Sequence, residues 1–243
     1  MHVGTMNPLF PLPFSRSLQA KASGQSFELG YDPNRCLTPD QITIAQADFA
    51  SEISNREVFR KVLELGVGSG VFLSHMLLDT TNPGLHVRGI DIDPQALLIA
   101  QHNLSRVAKQ RGFPISSFSL DKGDWLSKEP VKDTPDVDMI YANPPYLPEG
   151  AALRPEFVQN PHHSLFAPDE GMAHYSTIIR QSKEHLKDGG YLFLRTSNNQ
   201  ARTDAVGEML VKGMRGSQIG VHTFQSEHRH GTGYLVKFIP SEI

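Results

Sequence analysis

Val62-Leu63-Glu64-Leu65-Gly66-Val67-Gly68-Ser69-Gly70 reads as a short apolar strand entering a glycine turn, and Val71 to Asp79 continues it as a helix. Glycines let the chain turn tightly and let a ligand approach the backbone. The helix start beyond the turn presents free N–H groups. At the carboxyl end of a parallel strand, such a turn suits an adenosine-type cofactor. A dinucleotide fingerprint would read G-x-G-x-x-G; here the third glycine is Gly70, Val71 follows it, and no phosphate-loop lysine is present. On its own the turn reads equally well as a steric βα connection.

Outward from it, strand and helix alternate. His86 to Ile90 is a second strand, and Asp93-Pro94 caps a helix with Leu97, Ala100, Leu104 and Val107 at helical spacing. Ile115 to Leu120, Val137 to Ala142 and Tyr191 to Arg195 are the next strands. Tyr175, Ile178, Ile179, Ser182 and Leu186 mark a helix stopped by Gly189-Gly190, and Gln200 to Lys212 mark another. The last strands are Gln218 to Phe224 and Gly233 to Ile239, too close together for an intervening helix. The expected fold is therefore α/β, a doubly wound, mostly parallel seven-stranded sheet with an antiparallel last strand.

Upstream, Thr38 is the expected cap and Pro39 the first residue of a helix reaching Ser54, with Phe27 to Leu29 as a short strand and a short helix at Ser17 to Ala22. Residues 1–55 are thus expected to be an N-terminal arm and cofactor lid, and 56–243 a catalytic domain.

The 243-residue chain is 39% hydrophobic with a net charge of -3, so it has material for a core but no global electrostatic grip on nucleic acid. Cys36 is the single cysteine, which excludes an internal disulfide and a cysteine-based zinc site. No apolar run approaches the roughly 20 residues that span a bilayer. Met1 to Met6 lacks the basic and apolar regions of a signal peptide, so a cytoplasmic location is expected.

Two further strand ends carry chemistry. Asp91 closes the second strand, 25 residues after Gly66, where a carboxylate accepts from a ribose diol. Asp93 is then the helix cap. Asp124 follows the third strand, placed to accept an adenine amino group with Trp125 beside the ring. Glu64 and Ile92 complete the expected cofactor set with Gly66, Gly68 and Gly70.

After the fourth strand stands Asn143-Pro144-Pro145-Tyr146. Two prolines remove two donors and fix φ, leaving a rigid turn of acceptors. The Asn143 oxygen and the turn carbonyls suit a planar –NH2 group, and Tyr146 offers a face for stacking. Accepting both protons holds a delocalised nitrogen in place and raises its electron density as it attacks. Asn143, Pro144, Pro145 and Tyr146 are the candidate catalytic residues, Asn143 also facing the cofactor.

These residues together resemble the class I S-adenosylmethionine-dependent methyltransferases, whose fold is Rossmann-like. More narrowly they resemble the Asn-Pro-Pro-Tyr branch, and within it the HemK-like protein-glutamine methyltransferases that modify the Gly-Gly-Gln glutamine of peptide release factors. The similarity runs from about Phe27 to Gln200. The resemblance implies S-adenosylmethionine as cofactor, with Asn143 and the Pro144 carbonyl holding the target nitrogen; the residues themselves lead to the expectation of no metal.

Three features depart from the family pattern. About 60 residues precede the glycine turn, so the family's helical N-terminal domain together with a cofactor-lid segment is not expected in them. Cys36 to Gln41 stands loosely in place of Leu-x-Pro-Arg-Pro-Glu-Thr. Asn160-Pro161-His162-His163-Ser164-Leu165 stands in place of Glu-Pro-x-x-Ala-Leu, and Arg195 in place of a late glutamate five residues before a glutamine.

The residues leave three methyl acceptors open: a protein glutamine, favoured by the closest pattern; an adenine or guanine amine in RNA or DNA; and a small metabolite. They leave the oligomeric state open too. A nicotinamide-dependent oxidoreductase is the alternative from another class, opposed by the missing third-glycine spacing and by the Asn-Pro-Pro-Tyr turn. A non-catalytic cofactor-binding subunit is opposed by the intact motif. His162 and His163 are read as polar loop residues or as part of the substrate pocket. His228 and His230 flank Arg229 without further metal ligands at suitable spacing. Arg229, Lys237 and Arg195 are read as surface cations with a possible anionic substrate, and Cys36 as a packing residue.

Overall fold

A computed structural model describes residues 15–22, 25–127, 136–226 and 229–240. Its elements, in chain order, are β1 (Arg16–Ala22), β2 (Gln25–Tyr31), α1 (Gln41–Glu57), β3 (Lys61–Leu65), α2 (Val71–Asp79), β4 (His86–Asp91), α3 (Pro94–Arg111) and β5 (Phe118–Lys122). They continue with β6 (Val137–Ala142), the single turn α4 (Pro168–Gly171), α5 (Ala173–Ser182), β7 (Leu186–Thr196), α6 (Gln200–Gly213), β8 (Gln218–Ser226) and β9 (Arg229–Lys237).

Seven strands form one sheet in the order β5-β4-β3-β6-β7-β9-β8. The pairings from β5 through β7 are parallel, and β9 runs antiparallel between β7 and β8. The expected doubly wound sheet with an antiparallel last strand is present.

The central strands are apolar at nearly every position because both faces are covered. Alternation then decides which side each residue serves. Val62, Met139, Tyr141, Tyr191 and Phe193 meet α1, α2 and α3 through Ile42, Ala50, Phe72, Met76 and Leu104. Leu63, Leu65, Ile140, Ala142, Leu192 and Leu194 meet α5 and α6 through Tyr175, Ile178, Val206 and Leu210.

Several local expectations are corrected. Ser17 to Ala22 is not helical; it lies in β1, paired antiparallel with β2 from Arg16↔Tyr31 to Ala22↔Gln25. Six residues cannot hold a helix alone, whereas the hairpin ladder satisfies their backbone. The cap of α1 is Asp40, not Thr38, and the helix reaches Glu57 rather than Ser54. The Asp40 carboxylate accepts from Thr43 N at 2.9 Å, while Thr38 is engaged by Asn160. Ile115 to Ser117 is a 3-10 turn closed by Ser117 N on the Pro114 carbonyl, so β5 begins only at Phe118. Leu186 belongs to β7, not to the preceding helix, which ends at Ser182. Gly189 and Gly190 lie inside β7, where a Cβ at Gly190 would stand 2.9–3.2 Å from three carbonyl oxygens. The last two strands are longer in the turn and shorter at the end than expected: β8 reaches Ser226, and β9 covers Arg229 to Lys237.

The order of the sheet positions the site. From β3 the chain goes to β4 on one side, and later elements, beginning with β6, lie on the other. The crevice at the carboxyl ends of β3 and β6 is thus the switch point of the sheet, where ligands of open α/β folds bind. Among the described residues no helix is long and apolar enough to cross a membrane.

Candidate active site

A cavity of about 320 Å³ opens at this switch point. Leu65 of β3 pairs with Ala142 of β6, so the glycine turn and Asn143 leave the sheet side by side. Gly66, Gly68, Glu64, Asp91, Ile92, Asp124, Trp125, Asn143 and Pro145 all line the cavity.

The glycines have distinct parts. Gly66, Gly68 and Gly70 all have positive φ, at 73°, 52° and 73°. A Cβ at Gly68 would meet nothing within 4 Å, so only its backbone conformation demands glycine. Gly70 does not line the cavity; its Cβ would stand 3.0 Å from Ala100 Cβ, so it lets α2 approach α3.

Asp91 builds the turn as well as facing the cavity. Its Oδ2 accepts from Gly68 N at 2.8 Å and its Oδ1 from Asp93 N at 2.9 Å. Burial raises its pKa above the usual carboxylate value, against the pull of these two bonds and of His163. Asp93 caps α3 through Gln95 N at 2.8 Å, with Pro94 in the first turn, as expected.

Glu64 is only 5% exposed. Burial pushes its pKa well above the usual range; a hydrogen bond from the Leu73 backbone opposes this, and nearby Asp91 adds to it. Its Oε2 has no hydrogen-bond partner among the described residues. A buried acceptor without a partner, on a residue that lines a cavity, is a place for a donor or a cation.

Trp125 adopts positive φ, 51°, and its ring lies over the turn, 3.4 Å from where a Gly66 Cβ would sit. His174 meets it edge-on at 5.2 Å and also lines the cavity. Burial lowers the His174 pKa, with Asp124 opposing. Asp124 itself is exposed at the rim.

On the other side stands the Asn-Pro-Pro-Tyr turn. Asn143 is half-buried, and its side chain makes no hydrogen bond with another described residue. Pro144 is buried, and neither it nor Tyr146 lines the cavity; Tyr146 leans on the core around Tyr175 and Met172. The turn is held by its neighbours. Leu147 exchanges backbone bonds with Leu165 and Ala167, both at 2.9 Å. Gly171, with φ 86°, approaches so closely that a Cβ there would stand 2.2 Å from the Tyr146 carbonyl oxygen.

Loop 160–166 closes the cavity from above. His162 bonds Glu149 at 3.0 Å and stacks on Phe166 at 4.6 Å, and His163 reaches Asp93 at 3.6 Å. Both histidines line the cavity. Asn160 donates to the Pro33 carbonyl at 3.1 Å and to Thr38 Oγ1 at 2.9 Å, and accepts from Thr38 N at 3.2 Å. It ties this loop to the lid segment before α1.

Arg195 is not a surface cation. It is 8% exposed and grips Asp40 with two bonds, of 2.8 and 3.1 Å, and Thr43 Oγ1 at 3.0 Å. Burial alone would raise the Asp40 pKa; the Arg195 guanidinium overrides it and holds Asp40 at about 2. Lys237 lies four strand positions away over the Tyr191 ring at 5.4 Å, so it does not join Arg195. The side chain of Arg229 and all of His228 lie outside the described residues. His230 accepts through its carbonyl from Asn198 at 2.5 Å. Among the described residues no group of three or more potential ligands is arranged to hold a metal. Cys36 is buried, lines the cavity and has its thiol pKa pushed up to about 12 by burial.

Sequence reading missed Tyr141, Phe72 and Thr43. Tyr141 stacks on Phe72 at 3.7 Å and 5°, donates to Gln46 at 2.8 Å and lines the cavity with Phe72 and Thr43. The available signal was its position two residues before Asn143 on the same strand edge.

Residues 59–229 match the family described as "Methyltransferase domain". The chain belongs to this methyltransferase family. Among its relatives, the release factor glutamine methyltransferase of Cereibacter sphaeroides is 33% identical over 157 residues, 63% of this chain and 52% of that protein. The Koribacter versatilis protein of the same name is 35% identical over 147 residues, 59% of this chain and 48% of its own length. The methyltransferase chain thus spans about half the length of the curated relatives it matches. Its fold is shared with the O-methyltransferase from Bacillus cereus in complex with SAH, at TM-score 0.55 and 12% identity over 85% of this chain and 84% of that one. The hMettl16 catalytic domain in complex with the MAT2A 3'UTR hairpin 6 gives TM-score 0.59 and 14% identity over 88% and 77%.

Proposed function

We propose that this protein is an S-adenosylmethionine-dependent N-methyltransferase acting on a planar amide nitrogen, with a protein glutamine of the release-factor type as acceptor. The observation that carries the reading is the pairing of two turns. An Asn143 amide free of hydrogen bonds to other described residues leaves the sheet beside a glycine turn backed by a buried, open carboxylate. The named relatives support the acceptor.

The site fits the cofactor. The open Glu64 oxygen suits the methionine ammonium, whose charge offsets the cost of burying the carboxylate. Both Asp91 oxygens keep a lone pair for the ribose hydroxyls after serving Gly68 and Asp93. Trp125 and Ile92 cover the adenine, and Asp124 at the rim takes its amino group. The bound cofactor supplies a methyl group on a sulfonium sulfur.

The chain supplies orientation and acceptors. The Asn143 oxygen, on a residue that lines the cavity, takes an N–H of the acceptor amide. Because the prolines place no donor there, nothing competes for the lone pair that attacks. Holding that proton keeps the nitrogen aligned and stabilises positive charge developing on it, and the methylated nitrogen then releases one proton to water. Gly171 and the Leu147 bonds prevent the turn from moving away. Residues 1–55 would then serve as arm and lid for the catalytic domain 56–243, although α1 runs through that boundary and adds its buried face to the main core.

The test is transfer of a labelled methyl group from S-adenosylmethionine to purified peptide release factor and to extract of cells lacking the protein. Protease-sensitive label, mapped to a glutamine, is expected. Nuclease-sensitive label would move the acceptor to a base amine, and label confined to small molecules would make this a metabolite methyltransferase.

A further inference from the structure

The Asp40–Arg195 pair is buried, fully formed and unused by the chemistry above. Its place in the sheet gives it a second meaning. Ala142 pairs with Leu194, so Asn143 and Arg195 are the next residues along two adjacent strands. Asp40 is the cap of α1, and Pro39 before it and Thr43 one turn after it both line the cavity. Arg195 binds both Asp40 oxygens and the Thr43 hydroxyl. From below, the Tyr175 hydroxyl donates to the Arg195 carbonyl at 3.2 Å. One turn further along α1, Gln46 accepts from Tyr141 at 2.8 Å. The start of α1 is therefore fastened to the edge of β7 at the level of Asn143.

We infer that Asp40 and Arg195 are positioning residues for the methyl acceptor: they fix the wall made by Pro39 and Thr43 against the Asn143 turn, and so set where the acceptor amide enters. A buried ion pair returns little net stability, because desolvation consumes most of its attraction. Fixed geometry is what it does supply, and small displacements at a reacting centre cost large factors in rate. Removing one partner strands a buried charge; removing both does not. Stability and positioning are therefore separable by mutation. The inference rests on the methyl-transfer reading and goes beyond it in assigning these two residues.

The experiment compares wild type, Asp40→Asn, Arg195→Met and the double variant. Asparagine keeps the α1 cap, so the loss is confined to the pair. Three quantities are measured: melting temperature, S-adenosylhomocysteine affinity by calorimetry, and kcat and KM for release factor. Both single variants are expected to melt lower and the double to recover most of the loss. In the double variant cofactor affinity should stay within about threefold while acceptor kcat/KM falls at least about tenfold. Recovery of kcat/KM along with stability would overturn the inference, since the pair would then be structural only. Amide exchange across residues 40–46 gives a readout without any acceptor. It should be at least about tenfold faster in the stable double variant than in wild type, and unchanged exchange would refute the positioning role. If wild type fails to methylate release factor, the proposed acceptor falls, and the exchange comparison still decides the pair.

Discussion

Asp91→Ala removes three interactions at once, and the structure allows each to be weighed. Gly68 N and Asp93 N lose acceptors at 2.8 and 2.9 Å. Each N–H left without a partner at a partly buried position costs about 1 kcal/mol, the lower end of the usual range. The apo protein should therefore lose roughly 2 kcal/mol, which for a chain of this size is a drop in Tm of about 4–8 °C. Part of that is returned, because the lost carboxylate was one whose burial raised its pKa. Cofactor binding should lose a further charge-assisted hydrogen bond to the ribose, about 1.5–3 kcal/mol. That is a roughly 10- to 150-fold increase in Kd. Calorimetry with S-adenosylhomocysteine measures it directly, and fluorescence gives a second assay because Trp125 is the single tryptophan and lines the cavity. Asp93→Ala is the control. It removes the α3 cap, about 1 kcal/mol, from a residue that does not line the cavity, so Tm should fall with little change in affinity. An Asp91→Ala protein that bound S-adenosylhomocysteine as tightly as wild type would refute the ribose assignment, whatever its Tm.

Asn143→Ala should lower methyl-transfer turnover at least about tenfold with cofactor affinity within about threefold, the pattern of a group acting mainly in the transition state; equal turnover would remove Asn143 from the chemistry. Gly171→Ala places a Cβ 2.2 Å from the Tyr146 carbonyl at φ 86°, so it should lower Tm by several degrees and displace the catalytic turn; thermal unfolding and turnover check both, and an unchanged Tm would show that the loop yields freely. Asp40, with its pKa lowered from 3.8 to about 2, contributes stability that is present above about pH 4 and lost as pH falls toward 2. The amount is about 2 kcal/mol, seen as a fall in urea midpoint between pH 5 and 2 that Asp40→Asn should flatten.

Much of the fold was legible because the sheet is buried on both faces. Continuous apolar runs such as Val62–Leu65 and Val137–Ala142 have no other use, and the glycine turn between strand and helix fixes where the first crossover begins. The errors fell where short segments had two local solutions. Arg16 to Ala22 is a strand only because β2 is there to pair with it. Thr38 and Asp40 are both capable caps, and the choice between them was made by Asn160 and Arg195, more than 120 residues distant.

For the site, sequence by itself determined the chemical types at the strand ends: the glycine turn, Asp91, Asp124 and the Asn-Pro-Pro-Tyr motif. Those follow from local backbone rules, since only glycine tolerates the turn and only proline empties a turn of donors. It could not determine which side chains meet. Gly70 serves α3 and not the cavity, Tyr146 leans into the core, and Asn160 closes the roof. Arg195 read as a surface cation because a buried guanidinium is affordable only beside a carboxylate. That carboxylate is Asp40, which lies 155 residues away in sequence. Burial and pairing are properties of neighbours in space, and those neighbours exist only once β7 has been set beside β6 and α1 folded across their edge.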